Sequence, residues 1–255
     1  MRPTTQSIEA PQPPSSPLSG FVDVLRSEFC KFRTVRSTYW TLFAAVAFNV
    51  GLAALAAVFV PGQLNAQEKA TFDSVRLSLG GIHLSQVAFG VLGVLVITSE
   101  YGTGMIRATL AAVPQRRRVL AAKVIVFTAA ALAVGILSSF AAYFAFQAFL
   151  SDASLGSSIG DPGVLRAVIG GGLYMTALGL LGLGLGAVIR AGAGAIAGLF
   201  GLVFVSQILV QLLPQSLRAT IGPYVPMEAG AQIFSVQPAA HGQADALGPW
   251  SGFGV

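Results

Sequence analysis

Residues 98–123, TSEYGTGMIRATLAAVPQRRRVLAAK, hold most of the chemistry this sequence offers. Glu100 is followed by Tyr101, Gly102, Thr103 and Gly104, then by Arg107, Pro114 and the consecutive Arg116, Arg117 and Arg118. A lone carboxylate among arginines suits ion pairing and surface docking, because guanidinium groups stay charged and bind carboxylates in fixed geometry. Gly102 and Gly104 break a helix after Glu100, MIRATLAAV can form a short helix over 105–113, and Pro114 ends it. The spacing predicts a docking helix that displays Arg107 and the arginine cluster, with Glu100 paired to Arg107 or a nearby arginine to fix its angle. A topological signal alone would need the arginines but not Glu100, the glycines or the helix.

Bond-making chemistry finds little support. Lys31, Lys69 and Lys123 are followed by Phe32, Ala70 and Val124, so none completes a phosphate-binding G-x-x-x-x-G-K-[ST] loop. GLGLGAV at 182–188 fits a dinucleotide fingerprint in form only, since it lies within an apolar run; Gly182 and Gly186 read as a close-packing pair, as do Gly194 and Gly198. No carboxylate or histidine falls mid-span, which argues against a proton relay or an intramembrane enzyme. His83 and His241 have no second ligand nearby, and Cys30 is the single cysteine, so no metal site, bound cofactor or disulfide framework is expected.

The elements that position the docking segment follow from composition. Of 255 residues 54% are hydrophobic and 10% charged, against about 25% charged in a soluble domain. Charge-free runs predict an all-α, polytopic membrane protein with five spans near 40–60, 81–99, 122–147, 167–189 and 193–213. A sixth begins at Trp250 in LGPWSGFGV. Residues 1–20 form a Pro/Ser-rich tail of disordered composition, and 21–255 a single transmembrane domain with an external loop over 214–249.

Lysine and arginine set the orientation. Arg2, Arg26, Lys31, Arg33, Arg36, Arg107, Arg116, Arg117, Arg118, Lys123 and Arg190 lie on one side of the expected spans; Lys69, Arg76, Arg166 and Arg218 lie on the other. The N-terminus and the docking segment are therefore expected inside. The net charge of +5 follows from this asymmetry, and no nucleic-acid partner is read into it.

Before the first span, Phe21, Val24, Leu25, Phe29, Phe32 and Val35 recur at three-to-four spacing, with Asp23, Arg26, Ser27, Lys31 and Arg33 mostly opposite. This predicts an amphipathic helix over 21–38, ending near Arg36, that lies in the inner bilayer interface with basic residues towards lipid phosphates. Within the spans, Asn49 and Gln207 are the polar residues weighed as cargo contacts, against the commoner reading of Asn and Gln as interhelical hydrogen-bond partners.

Glu100 to Lys123 resembles the E-Y-x-x-G-T-x-R…P-x-R…K segment of ATP-binding-cassette (ABC) exporter permeases of the ABC type-2 class. SEFCKFRTVRSTYW is similar to the start of actinobacterial members through Ser27, Glu28, Lys31, Arg33, Thr34, Arg36, Ser37 and Trp40, and PYVPMEAGAQI with LGPW resembles their last external segment. The resemblance covers roughly residues 20–255. It implies six spans, an interfacial N-terminal helix, re-entrant helices in the last external loop, and a coupling helix between spans two and three that docks on an ATPase.

It further implies the membrane subunit of an exporter in the bacterial plasma (inner) membrane, N-terminus cytoplasmic, working as a homodimer or with a paralogue. Two copies of a separate ABC ATPase would carry ATP and Mg, and the cargo would be a hydrophobic or amphipathic drug, antibiotic or lipid. The alternative is a non-transporting scaffold, immunity or sensor subunit that docks a cytoplasmic partner.

Overall fold

The computed structural model describes residues 17–150, 152–234 and 236. The tail up to residue 16, His241 and the apolar turn at Trp250 expected to open a sixth span lie outside them. Within the described residues the elements are helical. Pro17, whose missing N–H costs nothing in a first turn, opens α1 (Pro17–Thr34), so residues 17–20 join this helix rather than the tail. Val35 is extended (φ −79°, ψ 104°) and lets the chain change direction into α2 (Arg36–Phe59), which divides the single helix expected over 21–38 into two.

Two short helices follow at the far end, α3 (Ala66–Ala70) and α4 (Ser74–Ser78). Asn65 and Glu68 close a reciprocal capping box on α3, and the Asp73 side chain caps α4. α5 (Ile82–Gly102) returns to the basic end, and α6 (Met105–Ala112) is the short helix there. α7 (Arg116–Phe149) starts six residues before the expected 122, because the arginines form its first turn rather than a loop. Lys69, 2.8 Å from Asp152, ties the α3 region to the turn after α7.

α8 (Val164–Ile189) precedes the last of the described spans, which is continuous over Gly192–Gln211 but built in three parts. These are α9 (Gly192–Phe200), a π-helical turn over Gly201–Val205, and α10 (Ser206–Gln211). Prolines then divide the chain: Pro214 caps α11 (Gln215–Ile221), Pro223 lies in a 3-10 turn, and Pro226 opens α12 (Pro226–Ala231).

Among the described residues, five helical segments are long and apolar enough to cross a membrane. α5 and α8 are central, with 56% and 50% of their apolar windows buried; α2 and the last span are peripheral, at 22% and 17%. Phe89, Phe127, Tyr143, Met175 and Ile233 fill the core, while Trp40, Phe43, Phe48, Leu137, Val188 and Leu212 point outward. An apolar exterior is the surface that hydrocarbon solvates and water does not.

Lipid tails are as apolar as leucine, so helices in a bilayer gain little by hiding apolar surface from one another and associate through close packing instead. The α5–α8 seam is built that way. A Cβ on Gly93 would collide with the Gly179 carbonyl, and one on Gly182 with the Gly90 carbonyl. At Gly186 it would come 2.7 Å from Ile97, so the pair Gly182 and Gly186 does permit close approach. Gly194 and Gly198 do not: their nearest neighbour is the Ile189 side chain, at 3.2 and 3.4 Å, and no facing backbone.

Gly182→Ala is therefore expected to lower the melting temperature of the purified protein by several degrees, since backbone must shift to admit the methyl. Gly184→Ala, with nothing within 4 Å of the added carbon, should be neutral or gain up to about 1 kcal/mol from reduced unfolded-state freedom. Equal melting temperatures for the two variants in detergent would contradict the seam.

Candidate functional site

At its basic end α5 closes on Glu100, which is 2% exposed. Thr103 caps this end, its hydroxyl and its N–H both donating to the Ser99 carbonyl. Gly104 then adopts the left-handed conformation (φ 72°), which a side chain would strain, and this turns the chain sharply into α6. α6 has no buried residue; Val113 is extended and Pro114 separates it from α7. Arg107, Arg116 and Arg117 are exposed and Arg118 is half-buried. Tyr101 lies beneath the Arg190 guanidinium, 5.7 Å from carbon to ring centroid, and so touches the end of α8. Arg190 holds its own left-handed conformation (φ 60°) as the cap of that helix.

The expected pairing of Glu100 with Arg107 or the arginine cluster does not occur among the described residues. Glu100 Oε1 instead accepts from Lys123 Nζ at 3.0 Å and from Lys31 Nζ at 3.1 Å. Glu28 completes the group, with Oε2 2.6 Å from Lys123 Nζ and Oε1 2.7 Å from Lys31 Nζ. Two acids and two lysines from α1, α5 and α7 thus alternate around a closed ring. Glu28 is 3% exposed and Lys123 5%. Lys31 Nζ also donates to the Thr109 hydroxyl at 3.4 Å, which links the ring to α6.

The face of α1 differs accordingly from the one expected. Phe21, Val24, Leu25, Glu28, Lys31 and Phe32 turn towards the protein, while Val22, Arg26, Phe29, Cys30 and Arg33 are turned away or less covered, and Arg36 is exposed at the start of α2. Lys31, expected on the basic face towards lipid phosphates, instead turns onto the two carboxylates, while Phe29 is exposed on the outer face of the helix. The buried carboxylates at the end of the bundle supply the physical reason, since an ammonium opposite them gains more than one in a screened surface position. Phe32 packs edge-on against Phe127, centroids 6.5 Å apart, and fixes the height of α1 on α7.

Burial alone would push the Glu28 carboxyl up, but hydrogen bonds and charge from Lys123 and Lys31 hold it below its usual 4.5. Burial would likewise lower the Lys31 ammonium, and Glu28 and Glu100 together hold it above its usual 10.5. The charged forms of Glu28 and Lys31 are thus held by the oppositely charged side chains around them. Desolvating four charges is costly, so the ring is a device for position more than for net stability.

The two residues weighed as cargo contacts make separate local bonds. Asn49, fully buried on α2, donates to the Ser138 hydroxyl of α7 at 3.0 Å. Gln207, half-buried on α10, donates to Glu228 of α12 at 2.7 Å. Among the described residues no group of three or more His, Cys, Asp or Glu could hold a metal ion.

Five apolar spans among the described residues define a polytopic helical membrane protein, with the short helix α6 and the ion-pair ring at one end. Residues 24–183 match the family model described as ABC-2 family transporter protein, well over half of the chain, and the chain belongs to that family. The ring lies wholly within the matched residues. No curated protein and no solved structure matches the chain. Membership implies association with an ABC ATPase subunit, in a multi-pass setting consistent with the bacterial inner membrane.

Glu28, Thr109 and Lys123 are the site residues that reasoning from docking chemistry missed. Glu28 left a signal: on a helix it shares the stripe of Phe21, Val24, Leu25 and Phe32, where an acid needs a partner. Lys123 left another, standing alone at the head of a long apolar run. Thr109 left none.

Lys123→Met should leave two buried carboxylates facing one ammonium and cost about 3–5 kcal/mol, read as a melting temperature well below that of the parent protein. A pH series supplies an independent check. Glu28 contributes stability that is complete above pH 4.5 and fades as pH falls through its lowered value; Lys31 contributes stability complete below pH 10.5 that fades as pH rises through its raised one. Stability should therefore be level between about pH 5 and 10 and fall on both sides. Glu28→Gln should flatten the acid limb.

Proposed function

We propose that this protein is the membrane-spanning permease subunit of an ATP-driven exporter for hydrophobic or amphipathic cargo. It would work as a dimer with two copies of a separate ATPase, homodimer or paired with a paralogue, its N-terminus and α6 on the cytoplasmic side. In this reading α6 is the coupling helix, the arginines of 107 and 116–118 are its docking charges, and α1 lies in the inner interface.

The observation that carries the reading is the Thr109–Lys31 contact. α6 has no fully buried side chain, so a push on its exposed face passes through its two ends, its half-buried Ile106 and Leu110, and this bond. The ends are continuous with α5 and α7, and the bond enters a ring that joins α1, α5 and α7. A partner closing on α6 would thereby move three helices as a unit, which is what conversion of ATP-driven closure into a rearrangement of the spans requires. The apolar exterior and short external connections suit cargo that enters from the bilayer.

Copurification with a co-expressed ATPase from the same operon should be lost when Arg116, Arg117 and Arg118 are all changed to Glu, while the melting temperature is retained. Lys31→Met is expected to keep that association and to uncouple it, ATP hydrolysis continuing while cargo movement in proteoliposomes falls at least fivefold. Association with no nucleotide-dependent change in the spans would instead identify a scaffold or sensor subunit. Undiminished copurification after charge reversal would remove α6 and the arginines as the docking surface.

A further inference from the structure

Beside the ion-pair ring, α1, α2, α5 and α7 enclose a cavity of about 240 Å³. All four ring residues border it. Its remaining wall is largely apolar, with Phe32 and Val96 among its residues, and carries the hydroxyls of Ser37, Thr38, Thr41 and Ser99. Leu95 and Met105, 41% and 45% exposed, stand at its edge, so it opens to the apolar exterior.

The ring is balanced in charge but incomplete in hydrogen bonds. Three of its four carboxylate oxygens accept from an ammonium; the fourth, Glu100 Oε2, is buried and has no donor. An ionised carboxylate oxygen can only accept, and leaving one unpaired away from water is unfavourable. Neither lysine bonds Glu100 Oε2: Lys31 Nζ uses its three N–H groups on Glu28, Glu100 and Thr109, and Lys123 Nζ bonds one oxygen of each acid. Glu100 borders the cavity, and a donor on a molecule entering there can reach it.

Charge and shape then narrow the ligand. An anionic head would face two carboxylates whose countercharges are engaged, whereas a hydroxyl or a primary ammonium supplies the donor that is lacking. The apolar wall calls for a hydrocarbon body. The volume lies below the roughly 300–1,000 Å³ of sites that enclose a whole drug-sized ligand, which fits a head and the first part of one chain with the remainder passing out between Leu95 and Met105.

We propose that this cavity binds a single-chain amphipath from the bilayer, held by its hydrogen-bond-donating head, a hydroxyl or a primary ammonium, against Glu100 Oε2. The proposal rests on the cavity and the unpaired oxygen, not on docking of an ATPase, because the ligand uses the inner side of the ring and leaves the arginines untouched.

The test uses the full chain in phosphatidylcholine nanodiscs, with radiolabelled 1-dodecanol, dodecylamine and dodecanoate measured by equilibrium dialysis against empty nanodiscs. Saturable binding of about one molecule per chain is expected for dodecanol, dodecylamine or both, at least tenfold tighter than for dodecanoate. The alcohol alone identifies a hydroxyl ligand and the amine alone an ammonium ligand. Val96→Trp enlarges a wall residue outside the ring to fill the cavity and should weaken the saturable binding at least tenfold. Leu95→Trp narrows the mouth from an exposed position and serves where Val96→Trp lowers the melting temperature; Leu137→Trp, on the outer face of α7, should change nothing. Partitioning without saturation, dodecanoate binding as tightly as the others, or full binding retained in both cavity variants would overturn the proposal.

Discussion

Four charges at one end of an apolar bundle, three buried and Lys31 half-buried, are the constraint around which the rest of this structure is arranged. Placing Glu28, Glu100 and Lys123 away from water is tolerable only while each acid lies between two ammonium groups. That requirement fixes three helices at once. It turns Glu28 and Lys31 of α1 inward, sets the depth at which α5 ends, and pins α7 at its second turn. Hydrophobic contact alone would leave all three free to slide, since one leucine-lined surface packs against another at many heights.

The second determinant is steric and lies along the bundle. Carbonyls of α5 and α8 occupy the space that Cβ atoms would need at Gly93 and Gly182, so the two backbones meet directly. The two devices differ in what they resist. Close packing resists separation and rotation of α5 against α8; the ring resists displacement of α1, α5 and α7 along one another. Tyr101 and Arg190 connect them, because the stacked pair joins the residue next to Glu100 to the end of α8.

Spans were legible in the sequence because a bilayer forbids charge over about 20 residues, and charge-free runs therefore mark them whatever their neighbours are. The bracketed helix at 105–112 was legible for a similarly local reason: glycine, proline and a left-handed turn act on the residues beside them. Glu100 was recognisable as a residue in need of a partner, but its partners were misassigned. Sequence proximity favoured Arg107, seven positions away, whereas folding delivers Lys31 from 69 positions upstream. The close packing of Gly182 against Gly90 has the same character. Small-residue spacing announces that one face of α8 can accept a backbone, yet Gly194 and Gly198 show the same spacing and meet only Ile189. A pattern states what a surface permits; which surface faces it is decided elsewhere in the chain.

This division between local and distant determinants bears on how the bundle can respond to force. α5 and α8 are in backbone contact and must move together, and the ring adds α7 and α1 to them at the basic end. α2 is linked differently: Val35 gives it an extended joint to α1, and its buried polar bonds, Asn49 to the Ser138 hydroxyl of α7 and the Ser85 hydroxyl of α5 to the Ala45 carbonyl, lie away from the ring. The last span is looser still, with a π-helical turn midway and little buried surface. A load applied at α6 therefore enters the stiffest part of the molecule first, and the relative motion it produces must appear where α2 and the last span meet that rigid unit. Helices held by few specific contacts are those whose position a modest differential interaction can change, so the periphery, rather than the glycine seam, is where two arrangements of this bundle can differ.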